Sequence, residues 1–190
     1  MEIRRVGIIG AGAMGSGIAQ VCAQTGWEVV LYDAIPESLK KGEAGILGFW
    51  QRGIEKGKTG EEDVISWRSN LSFTTDIGEC SRGMDLIIEA VPEKIDLKKS
   101  IFRELEDLAP KESVLATNTS GLSIFEIASA TETPDRVIGM HFFNPVPLMP
   151  LLEIVKHRNV SEETVATARE VGDALGKTTI IVNDAPGFAT

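Results

Sequence analysis

Three glycines, in Gly10-Ala-Gly-Ala-Met-Gly15, separate an apolar, β-branched run from Ile3 to Ile9 from a stretch of helical periodicity, Ala13 to Thr25. A strand that turns on glycines directly into a helix has few ways to fold. Gly10 permits the tight turn. Gly12 lets main chain approach a ligand with no Cβ in the way, and Gly15 lets the helix lie close to the strand. The helix N-terminus formed there offers free N–H groups and a dipole that favour phosphate. On its own such a triplet is a weak signal. Its context strengthens it, because a second strand, Glu28 to Tyr32, ends at Asp33, about 20 residues on, where a ribose-binding carboxylate belongs. Asp33 would repel a 2′-phosphate, and Ala34 and Ile35 supply no arginine to bind one, so the residues favour NAD over NADP. The plainer alternative makes Asp33 a turn residue ahead of Pro36.

Strand and helix signals keep alternating downstream. Pro36 to about Lys56 reads as a long amphipathic helix, and Glu61 to Arg68 as a short one with acidic residues in its first turn. Leu71–Thr74, Met84–Val91, Ser113–Thr117, Arg136–Phe142, Leu151–Val155 and Thr178–Val182 read as strands. Helices are expected at Ile95–Leu108, at Ser123–Ser129, and from a Ser161 cap to about Leu175. This alternation, with continuous apolar strands, specifies an α/β fold of the Rossmann type. It is a single domain built on a doubly wound, mostly parallel sheet covered on both faces. The domain is placed at residues 1–184, and residues 185–190 read as the start of a linker.

Composition narrows the partners. A formal charge of −9 argues against nucleic acid and against an anionic membrane surface. No apolar run is long enough to span a bilayer, and the N-terminus lacks a signal-peptide stretch, so a reducing, cytoplasmic compartment is expected. Cys22 and Cys80 have no metal-ligand spacing; neither a metal site nor a disulfide is expected, and Cys22 reads as core. Trp27, Trp50 and Trp67 read as half-buried residues without a functional role.

The chain has two histidines. His157, between Lys156 and Arg158, reads as exposed and non-catalytic. His141 lies in Gly139-Met-His-Phe-Phe-Asn-Pro145, at the carboxyl end of an expected strand, where open α/β sheets place ligands. It is either a core histidine donating to a carbonyl or a poised acid/base. Glu153 sits inside the apolar run Leu151-Leu-Glu-Ile-Val155, where a charge is costly unless paired. A hairpin-like return through Pro145–Pro150 would bring it beside His141, the base-plus-orienter arrangement of acid/base catalysis.

Gly10-Ala-Gly-Ala-Met-Gly-Ser-Gly-Ile-Ala19, Glu89-Ala-Val-Pro-Glu93, Asn118-Thr-Ser120, Gly139-Met-His-Phe-Phe-Asn-Pro-Val-Pro147 and Ala185-Pro-Gly-Phe188 occur in one order. Together they closely resemble the NAD-binding domain of L-3-hydroxyacyl-CoA dehydrogenases, including bacterial 3-hydroxybutyryl-CoA dehydrogenases, over essentially the whole chain. The resemblance implies NAD-dependent oxidation of the 3-hydroxyl of an (S)-3-hydroxyacyl-CoA, or the reverse reduction, within fatty-acid metabolism. It implies that His141 is the catalytic base and Glu153 its partner. Ser120 would hydrogen-bond the substrate oxygen, and Asn144 would order the same corner. Cofactor contacts would come from Gly10, Gly12, Ala13, Met14, Gly15, Asp33, Ala90, Val91, Asn118 and Ser120, with Glu93 and Lys98 near the nicotinamide-side ribose. Lys56 and Lys58 fall where the family uses a helical arm near the CoA phosphates.

Taken singly, these residues have plainer readings. Ser120 is a turn residue or a cap, Asn144 a turn former, Glu93 a helix-start carboxylate and Lys98 a solvated helix lysine. Gly121 also departs from the serine that many relatives carry there. Family members continue past Pro-Gly-Phe into a helical second domain that closes the acyl pocket and forms a homodimer. The expectation for these 190 residues is therefore NAD binding, weak or absent turnover, and an apolar patch that drives self-association. The other readings are an oxidoreductase for a free β-hydroxy acid or sugar acid, and an NAD-binding module without chemistry.

Overall fold

The computed structural model describes residues 1–188. In chain order the elements are β1 (Arg5–Ile9), α1 (Ala13–Gln24), β2 (Glu28–Tyr32), α2 (Pro36–Glu55), α3 (Glu61–Ser69), β3 (Leu71–Thr74), α4 (Ile77–Ser81), β4 (Leu86–Glu89), α5 (Ile95–Leu108), β5 (Val114–Thr117), α6 (Ile124–Ala128), β6 (Val137–Phe142), β7 (Leu151–Lys156), α7 (Glu162–Ala174) and β8 (Thr178–Asn183). A single turn of 3-10 helix, Pro134–Arg136, precedes β6. The strands form one eight-stranded sheet in the order β3-β2-β1-β4-β5-β6-β7-β8. From β3 to β6 in that order, each strand is parallel to the next. β7 turns back antiparallel to β6, and β8 runs parallel to β7.

Strand side chains alternate between two apolar layers. Val6, Ile8, Leu86 and Ile88 face α1, α2 and α7, whose Ile18, Cys22, Ile46, Trp50 and Val171 complete that layer. Ile9, Ile87 and Leu115 face α4, α5 and α6 and meet Cys80, Phe102, Leu105 and Ile127. Each layer thus holds one buried thiol. Burial pushes both Cys22 and Cys80 up to about 12, which leaves them protonated and inert at neutral pH.

The strand order switches direction between β1 and β4: β1 continues to β2 on one side and the chain returns to β4 on the other. That is the switch point at which an open α/β sheet opens a crevice beyond its carboxyl ends. Several boundaries differ from the sequence expectation, most by one residue. β1 begins at Arg5 rather than Ile3, and β4 spans Leu86–Glu89 rather than Met84–Val91, with Ala90 and Val91 lining the crevice. Trp50 is fully buried rather than half-buried, stacked at a tilt on Trp67 with ring centroids 5.7 Å apart.

Candidate active site and dinucleotide crevice

The β1–α1 turn is shaped by its glycines. Gly10 has φ +104°, in the left-handed region, and donates to the Tyr32 carbonyl at 2.8 Å. A Cβ on Gly15 would lie 1.7 Å from the Gly10 carbonyl oxygen, so the helix comes this close only because Gly15 has no side chain. A Cβ on Gly12 would meet nothing within 4 Å. Gly12 caps α1 without any side-chain bond, so no side chain occupies the first-turn N–H groups. Asp33 is fixed at the end of β2: its Oδ2 accepts from Ala11 N and its Oδ1 from Ile35 N, both at 2.9 Å. Each oxygen keeps a lone pair for a ribose hydroxyl. These residues border a cavity of about 680 Å³ that continues past Ala90 and Val91 to the side of α5. Main-chain donors at a helix start, space for a pyrophosphate and an oriented carboxylate fit a dinucleotide.

A buried ion network lies at the end of β4. Glu89 and Lys98 are both excluded from solvent and pair at 2.6 Å. Glu89 also accepts from Val91 N at 2.7 Å and from Thr117 Oγ1 at 2.7 Å. Lys98 reaches the Val91 carbonyl at 3.3 Å and Glu93 at 3.5 Å. Glu93 in turn accepts from the Thr119 hydroxyl and from Ser120 N at 3.0 Å. Partial burial pushes the Glu93 carboxyl upward. The Thr119 hydrogen bond, the Lys98 charge and the Ser120 N–H outweigh it and hold Glu93 below the usual carboxylate range.

The acid/base candidates meet on the sheet. β6 and β7 pair in a register that sets His141 directly opposite Glu153, and His141 Nδ1 lies 2.6 Å from Glu153 Oε2. Glu153 is fully buried and His141 nearly so. Phe143 lies against the imidazole at 4.4 Å between centroids and Phe188 at 5.9 Å. Asn118 Oδ1 accepts from Phe142 N at 2.9 Å, which ties the end of β5 to the strand that carries His141. After β6 the chain runs through Asn144 and a cis Asn144–Pro145 bond back over α1. Lys177 secures that loop by donating to the Val146 and Met149 carbonyls at 2.6 and 2.8 Å.

The model of the 3-hydroxyacyl-CoA dehydrogenase NAD-binding domain matches residues 5–185. The chain belongs to the 3-hydroxyacyl-CoA dehydrogenase family. It is 42% identical, over its whole length, to a probable 3-hydroxybutyryl-CoA dehydrogenase of Bacillus subtilis, of which it spans 66%. It is 38% identical to the mitochondrial hydroxyacyl-coenzyme A dehydrogenase of Homo sapiens, with 98% of the chain and 61% of that protein covered. The crystal structure of (S)-3-hydroxybutyryl-CoA dehydrogenase PaaH1 from Ralstonia eutropha superposes with a TM-score of 0.96 at 39% identity, covering all of this chain and 66% of that one. The chain thus spans about two thirds of the length of these relatives. The cofactor of this 3-hydroxyacyl-CoA dehydrogenase domain is NAD.

Within the dehydrogenase domain, the geometry gathers the expected residues into two groups. Gly10, Gly12, Ala13, Met14, Asp33, Ala90 and Val91 line one cavity, while Glu93, Lys98, Asn118 and Ser120 hold the adjoining ends of β4 and β5. Asn144 is exposed and borders a second hollow with Gly12 and Gly17. Two sequence readings are corrected. Taken alone, Lys98 reads as solvated, yet it is 1% exposed, because Glu89 needs a cation inside the fold. His157 is buried, not exposed; its Nε2 lies 2.9 Å from the Val137 carbonyl. Sequence reasoning also missed Glu89, Thr117 and Thr119. The available signal was a carboxylate closing the apolar run Leu86-Ile-Ile-Glu89.

Proposed function

We propose that this domain serves the NAD-dependent interconversion of an (S)-3-hydroxyacyl-CoA and its 3-ketoacyl-CoA. The observation that carries the reading is the His141–Glu153 pair, 2.6 Å apart at the carboxyl end of β6, on the sheet edge at which β1 and β4 open the cofactor crevice. Bound NAD supplies the hydride acceptor. His141 Nε2 takes the proton of the 3-hydroxyl, and in the reverse direction returns it to the ketone oxygen. Glu153, bonded to the other ring nitrogen, fixes the tautomer and offsets the charge on the imidazolium. The Ser120 hydroxyl donates to the substrate oxygen, and Glu93 holds that serine through its backbone N–H. Asn144 orders the same corner from the loop after β6. Gly10, Gly12, Ala13, Met14 and Gly15 hold the pyrophosphate and Asp33 the ribose. Lys98 acts from inside, through Glu93 and the Val91 carbonyl.

The thioester chain has a route along the hollow between α1, α2 and Asn144–Pro147, about 420 Å³, with Lys41 on its wall. Relatives at this similarity are longer, and a dehydrogenase excludes water around the hydride. Taken alone, the 190 residues are therefore expected to bind NAD and turn over slowly. The test is loss of nicotinamide absorbance on adding acetoacetyl-CoA to NADH and the protein. A slow decrease that disappears in His141→Gln, with NADH affinity unchanged, supports the reading. Reduction of free acetoacetate as fast as of its CoA ester would replace it with a β-hydroxy acid oxidoreductase. NADH binding with no turnover, even in a longer chain carrying the second domain, would leave a nucleotide module.

A further inference from the structure

The cofactor crevice extends beyond the phosphate turn and Asp33 to a wall formed by α5. Leu97, Ile101 and Glu104 recur there at helical spacing and share one face. Ile35, 58% exposed, lines the same cavity from the loop after β2, and Leu97 is itself 39% exposed. Two large apolar side chains left open at one cavity suit a flat ring packed against them. Tyr32 and Ile77 line the same cavity.

The charged groups lining this cavity carry one sign: they are Asp33, already placed for the ribose, and Glu104. The uncharged polar side chains are the Tyr32 and Ser38 hydroxyls, and the cavity holds no lysine, arginine, histidine, asparagine or glutamine. Among the described residues the Glu104 side chain makes no hydrogen bond and no ion pair, while the side chains of helix neighbours such as Lys98, Lys99 and Glu106 are all engaged. An ionised carboxylate only accepts hydrogen bonds. Adenine presents an amino donor at position 6, whereas a 6-oxopurine presents an acceptor there. We propose that Glu104 accepts a hydrogen bond from the 6-amino group of the adenine and makes the crevice selective for adenine over 6-oxopurine dinucleotides. Glu104 is exposed but lines this cavity, and burial, and next the Glu104 charge, push the Tyr32 phenol of the same cavity up. The proposal rests on the crevice taking NAD.

The experiment is calorimetric titration of the 190-residue chain with NADH and with reduced nicotinamide hypoxanthine dinucleotide. The two differ only at the 6-position and the adjacent ring nitrogen. The wild-type protein is expected to prefer NADH by about tenfold, the worth of one hydrogen bond to a charged group at a partly open site. In Glu104→Gln the amide both donates and accepts, so the two affinities should come within about twofold of each other. Glu104→Ala should lose the preference by weakening NADH. Glu104 is exposed, so neither variant should disturb folding. Equal wild-type affinities would overturn the proposal, as they would if the N1–H of hypoxanthine replaced the lost donor. So would a preference that survives in both variants. Failure of the wild-type chain to bind either dinucleotide would overturn the cofactor site as well.

Discussion

Gly12 and Gly15 stand three residues apart in one turn, and their neighbourhoods make opposite demands. Gly15→Ala would drive a Cβ into a backbone oxygen that cannot move without dismantling the β1–α1 turn. Its expected cost is about 3 kcal/mol or more, read by urea unfolding. Gly12→Ala faces open space and should stay within about 1 kcal/mol of wild type, because the cap has no side-chain bond to lose. Its effect should appear in NADH affinity, weakened by more than about tenfold, or 1.4 kcal/mol. Equal loss of stability in both would show that the turn is simply intolerant of side chains. At β7, Glu153→Gln removes the charge that balances an imidazolium. Turnover should fall by about 10²- to 10⁴-fold while NADH affinity holds. A parallel loss of affinity would make Glu153 a structural residue and no more.

At the scale of elements, β4, α5 and β5 are stitched by the Glu89–Lys98–Thr117 cluster. Lys98→Met leaves Glu89 buried without its cation, at a cost of about 3–5 kcal/mol. Adding Glu89→Gln should recover most of that loss, since a neutral pair of similar volume does not need the charge. A double variant no more stable than the single would mean that Lys98 matters for its packing alone. Most elements were legible in the sequence. Apolar strands bounded by glycine and acidic turns declare themselves, and so did the return that pairs His141 with Glu153. α4, five residues long, was not, because it is too short to display a period. His157 was misread because its sequence neighbours are charged, while its ring turns inward to a carbonyl 20 residues away. The plainer reading of Lys98 as a solvated lysine failed for a related reason: what buries it is a partner on another element, which local pattern does not reveal.

For the whole molecule, two carboxylates shape the response to acid. Partial burial pushes Glu106 upward, but hydrogen bonds from Thr133 and the Glu132 N–H, with Arg136 nearby, leave it below the usual range, as Glu93 is. A carboxyl depressed in the folded state adds stability above its unfolded value, about 4.3. That stability is lost as pH falls through the lower folded value. Unfolding midpoints in urea should therefore be flat near neutrality and drop below about pH 4.5, and Glu106→Gln should flatten part of that drop. A midpoint that rises on acidification would contradict both assignments. Leu148, Met149 and Ile181 are exposed toward the β8 end of the sheet. Sedimentation at rising concentration is expected to show self-association of the 190 residues through such apolar surface, and Ile181→Lys should weaken it. A monomer at every concentration would dismiss that surface as an association face.

The two thiols, one in each layer of the sheet, give this domain a pair of internal clocks. Neither Cys22 nor Cys80 can react with a thiol reagent while its layer is closed. Each labelling rate therefore counts the openings of one side of the molecule. Matching rates would mean that both layers come apart in one event. A faster rate at Cys80 would mean that the α4–α5 side, which carries the adenine wall, breathes while the α1 side stays shut. Ligand added to the crevice would then slow one clock and leave the other running.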